Sequence, residues 1–523
     1  MHLAVLSLLL AASTCAAKRT DLYYNSSLPA PQQHFKFLFL LPTPVTSHTW
    51  AVAPLAVALA HRGHEVSMLC DDPNIFEFPN VTCIYHGITI TEQIPHKYGK
   101  DSNFVTEFTK ILNSLDGIAE KMSSSAAFQK LYKSRKEFDL IVVEDFAMAV
   151  MYPLLNEMPY VLYSSLSLNA YQSAQLGNVQ NPLYVAEGRS FDFPHSNSLM
   201  DRIKNLITNI FSYIFFGLLL HCATKTLETN VPDSRTLTEL ERNASVHFIN
   251  TILALDGPMP LLPNQIPIGG IVLRPLSDLP EDIADFLSGE KPVVYVSFGI
   301  SVLTDDNIPP ENKKILFSVF SKLRYKVIVK ISKQKYKRTD NVLYVDSVPQ
   351  QTILAHPNVK AFVSHCGLGG AVEAIQNAVP IVGLPALLDQ HRTAFLLQKH
   401  GAAILLSWDI LDEKNLENAI EEVILNPSYR RKMGDLSRIF RDQLVSPLDT
   451  AVYWTEYAAR HQGAPHLQSP ARGHSFIKLF GLDFIVSIFF GLLLIQWMWK
   501  WRSTTQFARR IDYNKNKCDN LQE

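Results

Sequence analysis

Short, nearly continuous apolar runs, each bounded by prolines, glycines or charges, recur through the middle of the chain. They include FKFLFLL at 35–41, LIVV at 140–143 and the segment 160–163. Runs of this length without polar alternation predict strands buried on both faces, as in a parallel sheet covered by helices. The first run ends at Pro42-Thr43-Pro44, and a helical stretch leads from there to His61-Arg62-Gly63-His64 and a second strand at 65–69. Gly63 is placed as a helix C-cap, which makes this a β-α-β beginning. Pro54 predicts that the regular helix starts near it, leaving His48 in the loop above the first strand. A second series of strands is predicted at 293–297, 326–331, 342–345, 361–364, 380–384 and 402–406. Between the series, Gly269-Gly270 and prolines at 258, 260, 263, 267, 275 and 280 mark a linker. The fold class is therefore α/β, with two doubly wound domains, 18–275 and 276–465. Ligands of such sheets bind beyond the carboxyl ends of the strands, the rim where His48 and the pair Glu144-Asp145 fall.

The ends carry a different pattern. An apolar stretch at 3–12 followed by Ser13-Thr14-Cys15-Ala16-Ala17 predicts a secretory signal peptide over 1–17. The run 482–499 (LDFIVSIFFGLLLIQWMW) predicts a transmembrane helix with tryptophans at the interface, after a stalk at 466–481. Its positive flank, including Lys500, Arg502, Arg509 and Arg510, places the tail 500–523 in the cytosol and the bulk of the chain in the lumen. A shorter apolar stretch at 206–220 contains Asn209 and is expected to form a buried or membrane-grazing helix. The sequons at Asn25, Asn80 and Asn243 lie on the expected lumenal side and agree with that topology.

Composition narrows the function. With 47% hydrophobic and 19% charged residues, and a net charge of −1, the chain is neither disordered nor collagen-like. It lacks the basic block a phosphate-tracking nucleic-acid binder needs. Of six cysteines, Cys70, Cys83, Cys222 and Cys366 fall in the expected lumenal part. Their spacing gives neither a zinc site nor a disulfide framework; a Cys70–Cys83 bridge and two buried thiols both remain open.

The segment Phe362-Val363-Ser364-His365-Cys366-Gly367-Leu368-Gly369-Gly370-Ala371-Val372-Glu373 runs from a strand through a glycine-rich turn into a helix. The free amides and dipole of such a helix start can hold a diphosphate. His365 can donate to a phosphate, and Glu373, one turn in, can accept from ribose hydroxyls. Asp389-Gln390 follows the next strand and Val348-Pro349-Gln350 lies upstream.

At these residues the chain resembles the UDP-glycosyltransferase family, membrane-bound glucuronosyl- and glucosyltransferases of the GT-B fold. The resemblance runs from signal to tail. It includes Ser47-His48, the stretch from Arg62 to Val66, Asn250-Thr251, the stretch from Val294 to Gly299, the signature from Val348 to Gln390, Pro447-Leu448-Asp449 and the run from Arg460 to Ala464. It implies an inverting, metal-independent transfer in the cleft between two Rossmann-like domains, with no cofactor because the UDP-sugar is a co-substrate. His48 corresponds to the general base, a role an imidazole's titration range suits. An acidic partner is implied at a strand end, where Glu144 stands in place of the Asp usual in mammalian members and Asp145 is adjacent. Ser297, Gly299, Gln350, His365, Gly367, Gly369, Gly370, Glu373, Asp389 and Gln390 match donor-binding positions.

Three positions differ from the family pattern: Ser347 replaces the uracil-stacking aromatic, Gly369 a phosphate-binding Asn, and Ile300 a Ser. Loss of a stacking ring costs about 1–3 kcal/mol, judged from base-on-aromatic stacking. Three readings follow. The first is transfer of glucuronate or glucose to a small lipophilic acceptor, for detoxification or hormone inactivation. The others are a lumenal binding protein on the same fold and a transferase acting on a sterol or ceramide. The resemblance further implies a single-pass endoplasmic reticulum membrane protein with a lumenal site, able to form homo-oligomers.

Overall fold

The computed structural model describes residues 24–519 except 25, 42–45, 71–77, 89–116, 169, 184, 186–197, 231–236, 300–307, 332–335, 387–388, 475 and 480. The expected signal peptide, Asn25 and Ile300 lie outside the described residues. By its contacts the chain forms two units, divided between Ser469 and Pro470.

The larger unit holds two parallel sheets, and GT-B architecture follows from them. The first comprises β1 (Lys36–Leu40), β2 (Glu65–Cys70), β3 (Val81–Tyr85), β4 (Leu140–Glu144), β5 (Tyr160–Ser164), β6 (Val246–Ile249) and β7 (Gln265–Pro267), in the order 3-2-1-4-5-6-7. The second comprises β8 (Val293–Ser297), β9 (Lys326–Lys330), β10 (Val342–Val345), β11 (Val359–Ser364), β12 (Ile381–Gly383) and β13 (Ala403–Leu405), in the order 10-9-8-11-12-13. Every residue of β4, β5 and β8 is buried, because helices cover both faces. Strand order reverses between β1 and β4 and again between β8 and β11. The connections leave these strands in opposite directions there, opening a crevice at each carboxyl end.

Three strands, β3, β6 and β7, go beyond the sequence expectation. β7 is short and ends in Pro267, so the proline count that marked a linker concealed an edge strand. The first helix also differs: it spans Thr46–His61 with Pro54 inside it. His48 therefore stands in its first turn and not in a loop. Proline deprives the helix of one backbone bond, and burial of Val52, Leu55, Ala56 and Leu59 compensates.

Core packing shows where the chain crosses back. Ala451, Val452, Ala458 and Ala459, on the helix Pro447–Arg460, share a core with Phe37, Phe39, Val66 and Val161 of the first sheet. Ile252 and Leu255 instead join the core of the second sheet. The boundary drawn near 275 thus has packing exchanged across it from both sides.

The smaller unit contains the helix Leu482–Asp519. Its stretch Leu482–Ile511 is long and apolar enough to cross a membrane. The helix runs on past Trp499, through the basic residues expected to flank the span.

Candidate active site

At the first switch point, the start of the helix Thr46–His61 and the end of β4 bring His48 against Glu144. Nδ1 of His48 lies 3.1 Å from Oε1 of Glu144, with both side chains buried. Ser165, just past β5, donates from Oγ to the same Glu144 oxygen at 2.5 Å and lies 3.0 Å from Nδ1 of His48. The backbone oxygen of Ser165 accepts from Asn250 Nδ2 at 2.7 Å, which fixes the loop carrying the hydroxyl. Asp145, the neighbouring acid, is buried in the first turn of the helix Asp145–Leu155, and the ion pair to His48 is made by Glu144.

Electrostatics follow from this geometry. Burial works to lower the His48 pKa, but the hydrogen bond and charge of Glu144, joined by the charges of Asp145 and Asp389, hold it above the ordinary 6.5. Burial works to raise Glu144, and the hydrogen bond and charge of His48, with hydrogen bonding to Ser165 and Asp145, hold it below 4.5. An ionised Glu144 can only accept, so Nδ1 carries the proton and the imidazole lone pair is on Nε2. Asp389, beyond β12 of the second sheet, is thus near enough for its charge to act on His48.

At the second switch point, β8 ends at the buried Ser297 and β11 runs into His365. A Cβ on Gly299 would lie 3.0 Å, and one on Gly367 2.6 Å, from Nε2 of His365. These two glycines thus make room for an imidazole. Gly299 also has φ +95°. Cys366, with φ +62°, turns the chain into the helix Leu368–Gln376. The helix's first backbone bond runs from Ala371 N to Gly367 O at 3.0 Å, so the amides of residues 368–370 have no intrahelical acceptor. Gly369 is exposed and a Cβ there would meet nothing within 4 Å; Gly370 lies against Gln350 and Phe362.

Burial pushes the His365 pKa down to about 4, with the Lys330 charge adding and a backbone hydrogen bond at Ser297 opposing, so the ring is neutral near pH 7. Its Nδ1 is buried with no hydrogen-bond partner among the described residues. Such an atom marks a place where a ligand's polar group is accommodated at little cost. Gln350 donates from Nε2 to Glu373 and accepts from the Tyr295 hydroxyl at 3.0 Å, so two donor-site candidates hold each other. Asp389 begins the helix Asp389–Lys399, and buried Gln390 accepts from Ala386 N at 2.9 Å. Ser347 is exposed. Asn80 is exposed in a turn before β3 with φ 58°, and Asn243 is half-buried.

Sequence reasoning missed Ser165, Asn250's hold on it, and Tyr295. Each acts through a contact between distant segments, and no local spacing reports it.

Comparisons with known proteins bear on the family and the fold. The family model "UDP-glucoronosyl and UDP-glucosyl transferase" matches residues 39–511. Mouse 2-hydroxyacylsphingosine 1-beta-galactosyltransferase is 31% identical over 477 residues, covering 88% of this chain and 86% of its own. Human UDP-glucuronosyltransferase 2B7 is 29% identical over 477 residues, covering 86% and 88%. Among solved structures, the glycosyltransferase VinC in complex with dTDP matches with TM-score 0.54 at 18% identity, over 82% of this chain and 99% of that one. Spinosyn forosaminyltransferase SpnP matches with TM-score 0.55 at 18% identity, over 82% and 100%.

Proposed function

Since the chain belongs to the UDP-glucoronosyl and UDP-glucosyl transferase family, we propose that it moves glucuronate or glucose from its UDP-sugar to the hydroxyl of a small lipophilic acceptor, with inversion and His48 as the base. The carrying observation is the buried His48–Glu144 ion pair facing the second sheet's rim. With Nδ1–H held by Glu144, Nε2 takes the acceptor's hydroxyl proton as its oxygen attacks the anomeric carbon. Glu144 stabilises the imidazolium that forms. UDP leaves from the opposite side of that carbon toward the start of the helix Leu368–Gln376. The amides of residues 368–370 and the His365 ring are positioned to bind the developing phosphate charge. Gln350, Glu373, Asp389 and Gln390 are assigned to the nucleoside and sugar hydroxyls. This chemistry requires neither metal nor cofactor, so turnover is expected to survive EDTA.

In this reading the acceptor side is the first-sheet half and the donor side the second. The membrane helix, the single-pass orientation and a lumenal site in the endoplasmic reticulum belong to the same proposal. The galactosyltransferase relatives, whose names specify an acylsphingosine, favour a second reading in which the acceptor is a membrane lipid.

The test is UDP release from UDP-glucuronate, UDP-glucose, UDP-galactose and UDP-N-acetylglucosamine, with phenol, steroid and ceramide acceptors, for the natural chain and His48→Ala. Acceptor-dependent release with one donor, falling about 10²–10⁴-fold in the variant, supports the reading. Release unaffected by the substitution removes His48 as base. No release from any donor would leave a lumenal binding protein.

A further inference from the structure

Over its stretch 199–218 the helix Leu199–Asn230 turns polar side chains inward and aliphatic ones outward. Ser198 caps it, its Oγ accepting from Asp201 N at 3.1 Å. Asn205 and Ser212 are buried, at 5% and 7% exposure, and Asn205 Nδ2 donates to the backbone oxygens of Pro182 and Val185, the latter at 2.7 Å. The opposite face consists of Ile203, Ile207, Ile210, Ile214 and Leu218, with exposures of 61% at Ile207 and 54% at Ile214. At about 100° per residue these five side chains fall within a wedge of about 80°, with Arg202 and Lys204 about 100° to either side of Ile203. Both cations are exposed.

A helix on a water-soluble surface turns its apolar stripe inward. Here the inward side is held by the Asn205 amide beside the core contact of Phe216, so rotating the helix to bury the aliphatic face would leave the carbonyls of Pro182 and Val185 without their donor. The arrangement suits a helix lying between protein and a second apolar phase. The chain carries its own indication of that phase in Leu482–Ile511, which is long and apolar enough for a bilayer. Cations bordering an apolar face match phosphate headgroups above acyl chains, whereas a second copy of the same face would set like charges beside one another.

We propose that the face Ile203–Ile207–Ile210–Ile214–Leu218 is a membrane-docking surface, lying in a phospholipid interface with Arg202 and Lys204 at headgroup level. The helix packs against Asp145–Leu155, whose first residue follows Glu144, so the docked face is joined by one helix contact to the carboxylate that holds His48. The surface stands whether or not the transferase reading holds, because its test reads lipid contact and not turnover.

The experiment uses the full chain in nanodiscs of phosphatidylcholine and phosphatidylserine containing a phospholipid with a diazirine on its acyl chain. After irradiation, labelled peptides are mapped. Label in 203–218 as well as in 482–511 is the expected result. The double variant Ile207→Glu/Ile214→Glu should lose most label from 203–218 and retain it in 482–511. UDP protection against heat serves as the check that the variant remains folded. Label confined to 482–511 in the natural chain overturns the proposal, as does chain-to-chain cross-linking through a photoactivatable residue at position 210 in place of lipid adducts.

Discussion

Ser165 Oγ lies 2.5 Å from Oε1 of Glu144, the same oxygen that receives Nδ1 of His48. A glutamate reaching a histidine has one more rotatable bond than an aspartate, and a second donor on its oxygen removes that freedom. Ser165 is accordingly a positioning residue for the proposed base. Ser165→Ala should lower kcat by about ten- to a hundredfold, from the roughly 1.5–3 kcal/mol of a hydrogen bond to a charged group. KM for the UDP-sugar should stay put, and Ser165→Thr should restore most of kcat. An unchanged kcat with the alanine would remove the hydroxyl from the mechanism.

The paired shifts set a pH dependence. A base works only when unprotonated, and His48 is held above 6.5, so kcat/KM should fall on the acid side through a limb displaced upward from that value. Glu144→Gln removes the charge that overcomes burial, so the residual activity should show its acid limb at lower pH. Stability follows the linkage. The raised His48 contributes stability in full below 6.5, and loses it as pH rises through its folded value. The lowered Glu144 contributes above 4.5 and loses it as pH falls through its folded value. The pair therefore supports the fold most between those limits. A pH–rate profile of the natural chain and Glu144→Gln, beside thermal melts across the same range, checks both signs.

The legible parts of this protein are those whose cause is local. The strand at 293–297 announces itself because burial on both faces keeps it without charges and nearly apolar up to Ser297 at its end, and the turn around His365 because its glycines sit between a strand and a helix. The role of Gly367 was not legible, since the imbalance it relieves is with a ring two residues back and visible only in three dimensions. Pro54 misled by suggesting a helix start, because the packing that tolerates it comes from strands elsewhere. The reversed face of the helix Leu199–Asn230 was half legible. Its aliphatic residues stood out as an apolar run, but which side they face depends on Pro182 and Val185, whose carbonyls hold Asn205.

The glycines of the donor turn should separate by what surrounds each. A Cβ at residue 367 would stand 2.6 Å from His365 Nε2, a separation real Cβ atoms do not show, whereas one at 369 would meet nothing. Gly367→Ala should displace the ring and weaken UDP binding by about 1–3 kcal/mol, the usual cost of overpacking. Gly369→Ala should bind UDP as the natural chain does. Gly369→Asn adds an amide at a site with space for it and should tighten binding if the phosphates lie at this helix start. Titration calorimetry with UDP measures all three.

The helix Pro447–Arg460 is fastened to the first sheet's half through Glu456. Its carboxylate accepts from Arg62 Nε at 2.5 Å and Nη2 at 3.2 Å, and His64 Nε2 lies 3.0 Å away. Arg62, His64 and Glu456 are nearly inaccessible at their side chains, so removing the acid would leave a guanidinium without its counter-charge. Glu456→Ala should therefore destabilise the fold by about 3–5 kcal/mol. Glu413, paired with Lys322 at 2.7 Å on the open surface, provides the contrast: Glu413→Ala should leave the melting temperature unchanged. Burial works to raise the Glu456 pKa, but hydrogen bonds from His64 and Arg62 hold it below 4.5, so the contribution fades only as pH falls through that lowered value. Melts at neutral pH should show Glu456→Ala far below the natural chain, with the gap narrowing in acid. Equal melting temperatures for Glu456→Ala and Glu413→Ala would mean that the apolar contacts of Ala451, Val452, Ala458 and Ala459 hold this helix without the ion pair.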